Sequence, residues 1–317
     1  MSILHALAPA KVNLGLFLGP TRAGDGRHEL ATVMQSISLA DELTLEAAPA
    51  GASGDEVLCP GVAGPPQENL AATALRAFRN ATGWDAGPLR LSIVKRIPVA
   101  AGLGGGSADA AAALRLAARM SGVGDERLLR ALGAELGADV PAQIRPGRWL
   151  ATGAGEHLEE LPDPNPEWFG LLVLPSGAGL STAAVYAEAD RLSLGRSADE
   201  LERRRHALRA ALELSAPVPA ASDLLENDLQ PAAISLCPEI AHTLKLAREA
   251  GADHALVSGS GPTVVGLFPH ANGLGRARRA AAALEGRLPA PICATPVDGA
   301  FARAHDIVVR HNHDSTP

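Results

Sequence analysis

The sequence predicts an α+β protein of two domains, and three observations carry that expectation. Strand-like and helical segments follow one another in mixed order rather than in regular βαβ alternation. Prolines at 162, 164 and 166, inside L-P-D-P-N-P-E, cannot continue a regular element. They set a boundary between residues 1–163 and 164–317. At 317 residues, 47% of them hydrophobic and 20% charged, the chain is long and apolar enough to bury a core in each half.

Taken in order, residues 12–18 alternate as a strand and run into the glycine-rich turn T-R-A-G-D-G-R-H. Residues 34–39 and 42–46 are two further short strands, and 49–66, rich in Gly, Pro and Ala, is a surface loop. Helical periodicity covers 69–82, and L-R-L-S-I-V-K-R-I at 89–97 alternates as a strand. The helix over 107–120 carries the strongest markers: Ser107 as N-cap, Asp109 in the positive first turn, Arg115 and Arg119 toward the negative end. A helix at 125–136 ends at Gly137. Past the proline run, 170–174 is a strand, 181–192 and 199–214 are helices, and 237–250 is a helix closed by Gly251. Strands at 255–258 and 263–268 flank a second glycine loop, S-G-S-G-P-T. Residues 275–285 are helical, and the tail H-N-H-D-S-T-P frays.

A formal charge of −7 argues against a nucleic-acid-binding surface, which needs a clustered basic field, but allows a local pocket for one nucleotide. Cys59, Cys237 and Cys293 are too far apart for a disulfide framework or a short-spaced zinc site, and read as idle thiols in a reducing cytosol. No stretch approaches the ~20 apolar residues of a membrane span. The start M-S-I-L-H-A-L-A-P-A-K lacks the regions of a secretory signal. The expectation is a cytoplasmic protein without membrane or nucleic-acid partners, a monomer or weak homodimer. Glu202-Arg203-Arg204-Arg205-His206 reads as a solvated helix face, and His311 and His313 as tail residues rather than metal ligands.

The chemistry begins with the loop Pro98-Val99-Ala100-Ala101-Gly102-Leu103-Gly104-Gly105-Gly106-Ser107-Ala108, between a strand and a capped helix. Glycines let the backbone approach a bulky anion, and the unpaired N–H groups of the helix start point at it. A flexible turn would also be glycine-rich, but strand, loop and helix occurring together favour phosphate binding. The loop is not a Walker loop, because no lysine precedes Ser107. Nor is it a dinucleotide fingerprint, which wants glycine or alanine where Ser107 stands.

The loop resembles the central motif of the GHMP kinases, a family that includes galactokinase, homoserine kinase and mevalonate kinase. Pro9-Ala10-Lys11-Val12-Asn13-Leu14 is similar to that family's first motif, and Val257-Ser258-Gly259-Ser260-Gly261-Pro262-Thr263 to its last. Three further segments resemble the branch of the family that phosphorylates cytidine diphosphate methylerythritol: Asp25-Gly26-Arg27-His28-Glu29-Leu30, Gly137-Ala138-Asp139-Val140-Pro141 and Glu226-Asn227-Asp228-Leu229. Residues 181–186 resemble that branch's substrate-side helix start.

The resemblance implies a two-domain fold, ribosomal-protein-S5-like and ATP-binding before residue 164 and ferredoxin-like after it, with the site in the cleft between. It implies an ATP-dependent kinase using Mg²⁺ on a small-molecule substrate. Asp139 becomes the base that takes the proton of the substrate hydroxyl. Lys11 neutralises the developing charge and holds Asp139 ionised. The same resemblance puts Asn13 and His28 on the substrate, His28 at the cytosine edge, Tyr186 stacked on the base and Thr182 beside it. Asn69 and Lys95 line the adenosine side, and Ser107 touches phosphate or Mg²⁺. Arg27 stands where the family commonly has tyrosine, and its guanidinium can stack on the base or pair with the diphosphate. Ala108-Asp109 replaces a second serine, leaving one hydroxyl there. Two other readings stay open: another GHMP kinase, such as one for homoserine or mevalonate, and a non-catalytic nucleotide-binding protein on the same fold.

Overall fold

The computed structural model describes residues 3–177, 179–212, 216, 218 and 222–306. Two long antiparallel strands, β1 (Leu4–Thr21) and β2 (His28–Ala47), dominate its first half. They replace the three short strands expected from local alternation. Pro9 would normally end a paired strand, but it falls at a register shift between Pro9 and Lys11, so β1 continues through it. The loop after β2 contains β3 (Glu56–Leu58), which was not expected from its Gly/Pro composition. Then come α1 (Leu70–Thr82), β4 (Leu89–Val94), α2 (Gly105–Ser121), α3 (Glu126–Leu136), α4 (Val140–Ile144), β5 (Arg148–Gly153) and β6 (His157–Leu161). On its other edge from β1, the long β2 serves two further partners: Leu30–Gln35 pair with β5, and Glu42–Ala47 with β4.

A second sheet starts with β7 (Phe169–Leu174). It is followed by α5 (Thr182–Arg191), α6 (Ala198–Leu212), α7 (Gln230–Leu236), α8 (Glu239–Glu249), β8 (His254–Val257), β9 (Val264–Pro269), α9 (Gly273–Leu284) and β10 (Ile292–Ala294). Its four strands run in the order β10-β7-β9-β8, all antiparallel. The single helix expected over 237–250 begins instead at Glu239, because Pro238 takes the cap position and separates α7 from α8. The expected end of the 199–214 helix, and the tail with His311 and His313, lie outside the described residues. The chain then returns to the first sheet. Ser38 N–H donates to Thr295 O, Val297 N–H to Ser36 O, and β11 (His305–Asp306) pairs with β1.

One core lies under the helices of the first half, where Phe78 and Leu75 of α1 meet a run of buried alanines, Ala110 to Ala113, on α2. Small side chains let these helices approach closely. A second core joins the two sheets: Ala10, Val12 and Leu14 of β1 share it with Phe169, Leu171 and Val173 of β7. Strand alternation then dictates that Lys11 and Asn13 face the other way. That parity positions the site.

Candidate active site

The glycine loop joins β4 to α2, and its left-handed residues shape it. Gly102 (φ 76°) and Gly104 (φ 71°) adopt a conformation that L side chains rarely tolerate. A Cβ on Gly102 would lie 2.5 Å from Gly261 O, so the loop abuts the second glycine loop; one on Gly104 would lie 3.0 Å from the Lys11 stem. Helix α2 starts earlier than expected, with Gly104 as its N-cap and no side-chain cap bond. Ser107 therefore is not the cap but sits in the first turn, where a helix N-terminus offers unpaired N–H groups to an anion. Ala108 does not belong to the cavity. Its side chain is fully buried in the helical core and its N–H donates to Gly104 O, so its expected contact with a nucleotide is withdrawn.

Lys11 is held from several sides. Its N–H donates to Leu103 O at 2.9 Å, tying β1 to the glycine loop. Its Nζ lies 3.1 Å from Asn13 Oδ1 and 3.4 Å from Asp139 Oδ2. Asn13 is fixed in turn: Nδ2 donates to Thr32 Oγ1, and its N–H to Ser258 Oγ. Asn227, in the Glu226-Asn227-Asp228-Leu229 segment, donates to Val257 O and Gly259 O and so anchors the second glycine loop. Asp139 reaches this cluster because α3 is closed by Gly137 and Asp139 itself takes the cap position of α4 two residues on. Its side chain keeps 35% exposure, against 11% for Lys11, so the carboxylate stays open to a ligand while the ammonium is enclosed.

Lys95 belongs to a cluster the sequence did not signal. Its Nζ donates to Asp109 Oδ2 at 2.7 Å and to Asp41 Oδ2. Asp41, wholly buried, also accepts the N–H groups of Arg96 and Ile97 at 2.6 and 2.8 Å. Burial disfavours the Lys95 ammonium, but the two carboxylates outweigh it and raise its pKa. For Asp109 burial wins over Lys95: its carboxyl is pushed up to about 7, and its Oδ1 has no hydrogen-bond partner. Asn69 lines the same cavity, but its Oδ1 already caps α1 by accepting from Ala71 N–H.

A pH dependence of stability follows. With a folded pKa raised from an ordinary value near 4, Asp109 contributes stability that is full below about pH 4 and lost as pH rises through about 7. Asp109→Asn carries no such loss. Its melting temperature relative to the wild type should improve from pH 5 to about pH 7 and level off above that. A gap independent of pH would show that Asp109 does not titrate there.

Two cavities meet over the glycine loop. The smaller, about 560 Å³, is lined by Asn69, Lys95, Cys59 and residues 98–107. The larger, about 750 Å³, is lined by Lys11, Asn13, Arg27, His28, Asp139, Thr182 and Tyr186 among others. Gly102, Gly104 and Ser107 line both. In the larger one the His28 and Tyr186 rings lie 5.6 Å apart, tilted by 34°. Burial, then the Asp139 charge, raises the Tyr186 pKa. Thr182 Oγ1 lies 3.0 Å from Ser260 Oγ, and the Arg27 guanidinium donates to Ala154 O at 2.7 Å. Among the described residues no helix is long and apolar enough to cross a membrane.

A nucleotide in the smaller cavity would present its terminal phosphate, across the shared glycines, to whatever fills the larger one. That layout is a small-molecule kinase. The chain belongs to the GHMP kinases: residues 69–147 match the model of the GHMP kinases N terminal domain, and residues 200–287 that of the GHMP kinases C terminal. It is 42% identical over 291 residues to a 4-diphosphocytidyl-2-C-methyl-D-erythritol kinase of Anaeromyxobacter dehalogenans, covering 90% of this chain and 86% of that one. The enzyme of that name from Streptomyces avermitilis is 41% identical, covering 92% and 97%. A crystal structure of 4-(cytidine 5'-diphospho)-2C-methyl-D-erythritol kinase superposes with a TM-score of 0.73 at 34% identity, covering 92% of this chain and 98% of that one. A homoserine kinase from Cytophaga hutchinsonii reaches 0.72 at 16% identity over 97% and 98%, which shows the shared fold alone.

Proposed function

We propose that this chain transfers the terminal phosphoryl group of ATP to the 2-hydroxyl of 4-(cytidine 5'-diphospho)-2-C-methyl-D-erythritol, a step in isoprenoid precursor biosynthesis. The observation that carries the reading is the meeting of the two cavities over Gly102, Gly104 and Ser107, one walled by a phosphate-type loop and the other by Lys11, Asp139 and an aromatic pair. The similar proteins named above, at 41 and 42% identity, support the choice of substrate.

The steps assign one job to each group. Residues 98–107 receive the phosphates through loop amides and the start of α2. Asp139 takes the proton of the acceptor hydroxyl as its oxygen attacks phosphorus, and the bond to the leaving diphosphate breaks. Lys11, 3.4 Å from that carboxylate, offsets negative charge gathering on the entering oxygen. Asn13 holds the Lys11 ammonium in place. Tyr186 and His28 receive the base, Thr182 lines the cavity beside them, and Arg27 is placed to stack on the base or meet the diphosphate. Mg²⁺ prefers oxygen ligands, keeps several waters and needs few protein groups. The Ser107 hydroxyl and the Asp139 carboxylate, both lining the larger cavity, fit that donor set. When bound, it would neutralise phosphate charge.

The decisive experiment offers the protein ATP and Mg²⁺ with cytidine diphosphate methylerythritol, mevalonate or homoserine, and follows ADP release. Turnover of the cytidylyl compound alone is expected. Turnover of mevalonate or homoserine instead would replace this reading by that of another GHMP kinase, whose substrate offers no base to an aromatic pair. No turnover of any acceptor, with ATP still bound, would leave a non-catalytic binder.

A further inference from the structure

We propose that Asp190 reads the exocyclic amine of the substrate's pyrimidine and so sets a preference for cytosine over uracil; this rests on the substrate reading above. Asp190 lies one helical turn beyond Tyr186 on α5, which places both side chains on one face of that helix. Both line the larger cavity.

The argument starts from His28. Its Nδ1 lies 3.2 Å from Gly19 O, and its Nε2 lies 3.0 Å from Asp190 Oδ1. Both ring nitrogens therefore already face an oxygen of the protein. An imidazole so engaged offers its ring to a base more readily than its edge, and the edge must find another reader. Asp190 is the neighbouring group able to take that part. Its side chain is 60% exposed, and its carboxylate has two acceptor oxygens, of which Oδ1 meets His28. That leaves Oδ2 for a donor entering between His28 and Tyr186.

The chemistry of the base selects the donor. Cytosine presents an amine at C4, and carboxylates accept from that amine. Uracil presents a carbonyl oxygen there, which a carboxylate repels. A site built around a hydrogen bond to a ligand group rejects an analogue that lacks it more strongly than an apolar pocket can. An ordinary helix-to-strand ion pair would bring Asp190 and His28 together just as well, but would confer no dependence on the base.

The test measures dissociation constants of CDP and of UDP, by calorimetry, for the wild type and for Asp190→Asn and Asp190→Ala. Asparagine keeps one oxygen for His28 but loses the charge and the second acceptor. The wild type should prefer CDP. Asp190→Asn should weaken CDP by about tenfold or more, as for loss of a charge-assisted bond, and change UDP by less than about twofold on the same scale, with Asp190→Ala showing the same pattern. A CDP-to-UDP ratio unchanged by both variants, including equal weakening of the two, would overturn the proposal, as would a wild type without preference. If the wild type also fails to turn over the cytidylyl substrate, the functional reading falls with it. If turnover is intact and the ratio alone fails to move, only the role of Asp190 falls.

Discussion

Asp139→Asn is expected to lower kcat by about 10²–10⁴-fold, the range of a lost general base, with ATP affinity close to wild type. Asparagine has nearly the shape of aspartate, so the turn between α3 and α4 survives and the loop over the smaller cavity is untouched. What disappears is the proton acceptor, together with the charge 3.4 Å from the Lys11 ammonium. Phosphoryl transfer depends mainly on positioning and charge stabilisation, so removing one member of this pair acts on the transition state more than on substrate binding. Single-turnover measurements with saturating ATP, alongside direct ATP titration, separate the two. A rate within about threefold of wild type, far short of that general-base range, would remove Asp139 from the base role.

Asp41→Ala should strongly destabilise the first half, costing about 3–5 kcal/mol. The carboxylate is wholly buried and accepts from Lys95 and from two backbone N–H groups, those of Arg96 and Ile97. Alanine leaves both amides without an acceptor, and leaves the ammonium with Asp109 alone. Unpaired buried donors lose the water they would have had in the unfolded chain. Because residues 95–97 lead directly into the glycine loop, the KM for ATP should rise as well. Asp41→Asn, which restores one acceptor oxygen, should recover part of the loss. The midpoint of denaturant unfolding gives the stability, and a loss below about 1 kcal/mol would show that the cluster is better solvated than its burial indicates.

Lys11, Asp139 and the glycine loop stand out in the sequence because their signals are local. Lys11 sits among apolar neighbours on a strand, Asp139 between a helix-ending glycine and a proline, and the loop between strand and helix. Each belongs to a short motif, and order along the chain was enough to connect the motifs. Asp41, by contrast, falls between the two short strands expected at 34–39 and 42–46, with no motif around it. Its importance arises from a loop that approaches from more than fifty residues away, and no nearby spacing records that. Asp190 was passed over for the same reason, since its partner His28 lies on a strand of the other half. Ala108 and Ser107 erred in the opposite direction: the motif covered them, but helix α2 began at Gly105, which turned Ala108 into the core and moved Ser107 off the cap.

By itself, the sequence determined, through its motifs and their order, that this is an α+β kinase of the GHMP type with a glycine-rich loop between a strand and a helix. Those are properties of residue type, local backbone conformation and order. Tertiary structure alone decided that Lys11 and Asp139 stand 3.4 Å apart, that two cavities share three residues of the loop, and that Lys95 is held by two carboxylates. Such facts depend on how β1 pairs with β2 and which face it turns to the core. Strand pairing and burial are settled by the whole fold at once, so one residue's neighbours across the fold cannot be read from its neighbours along the chain.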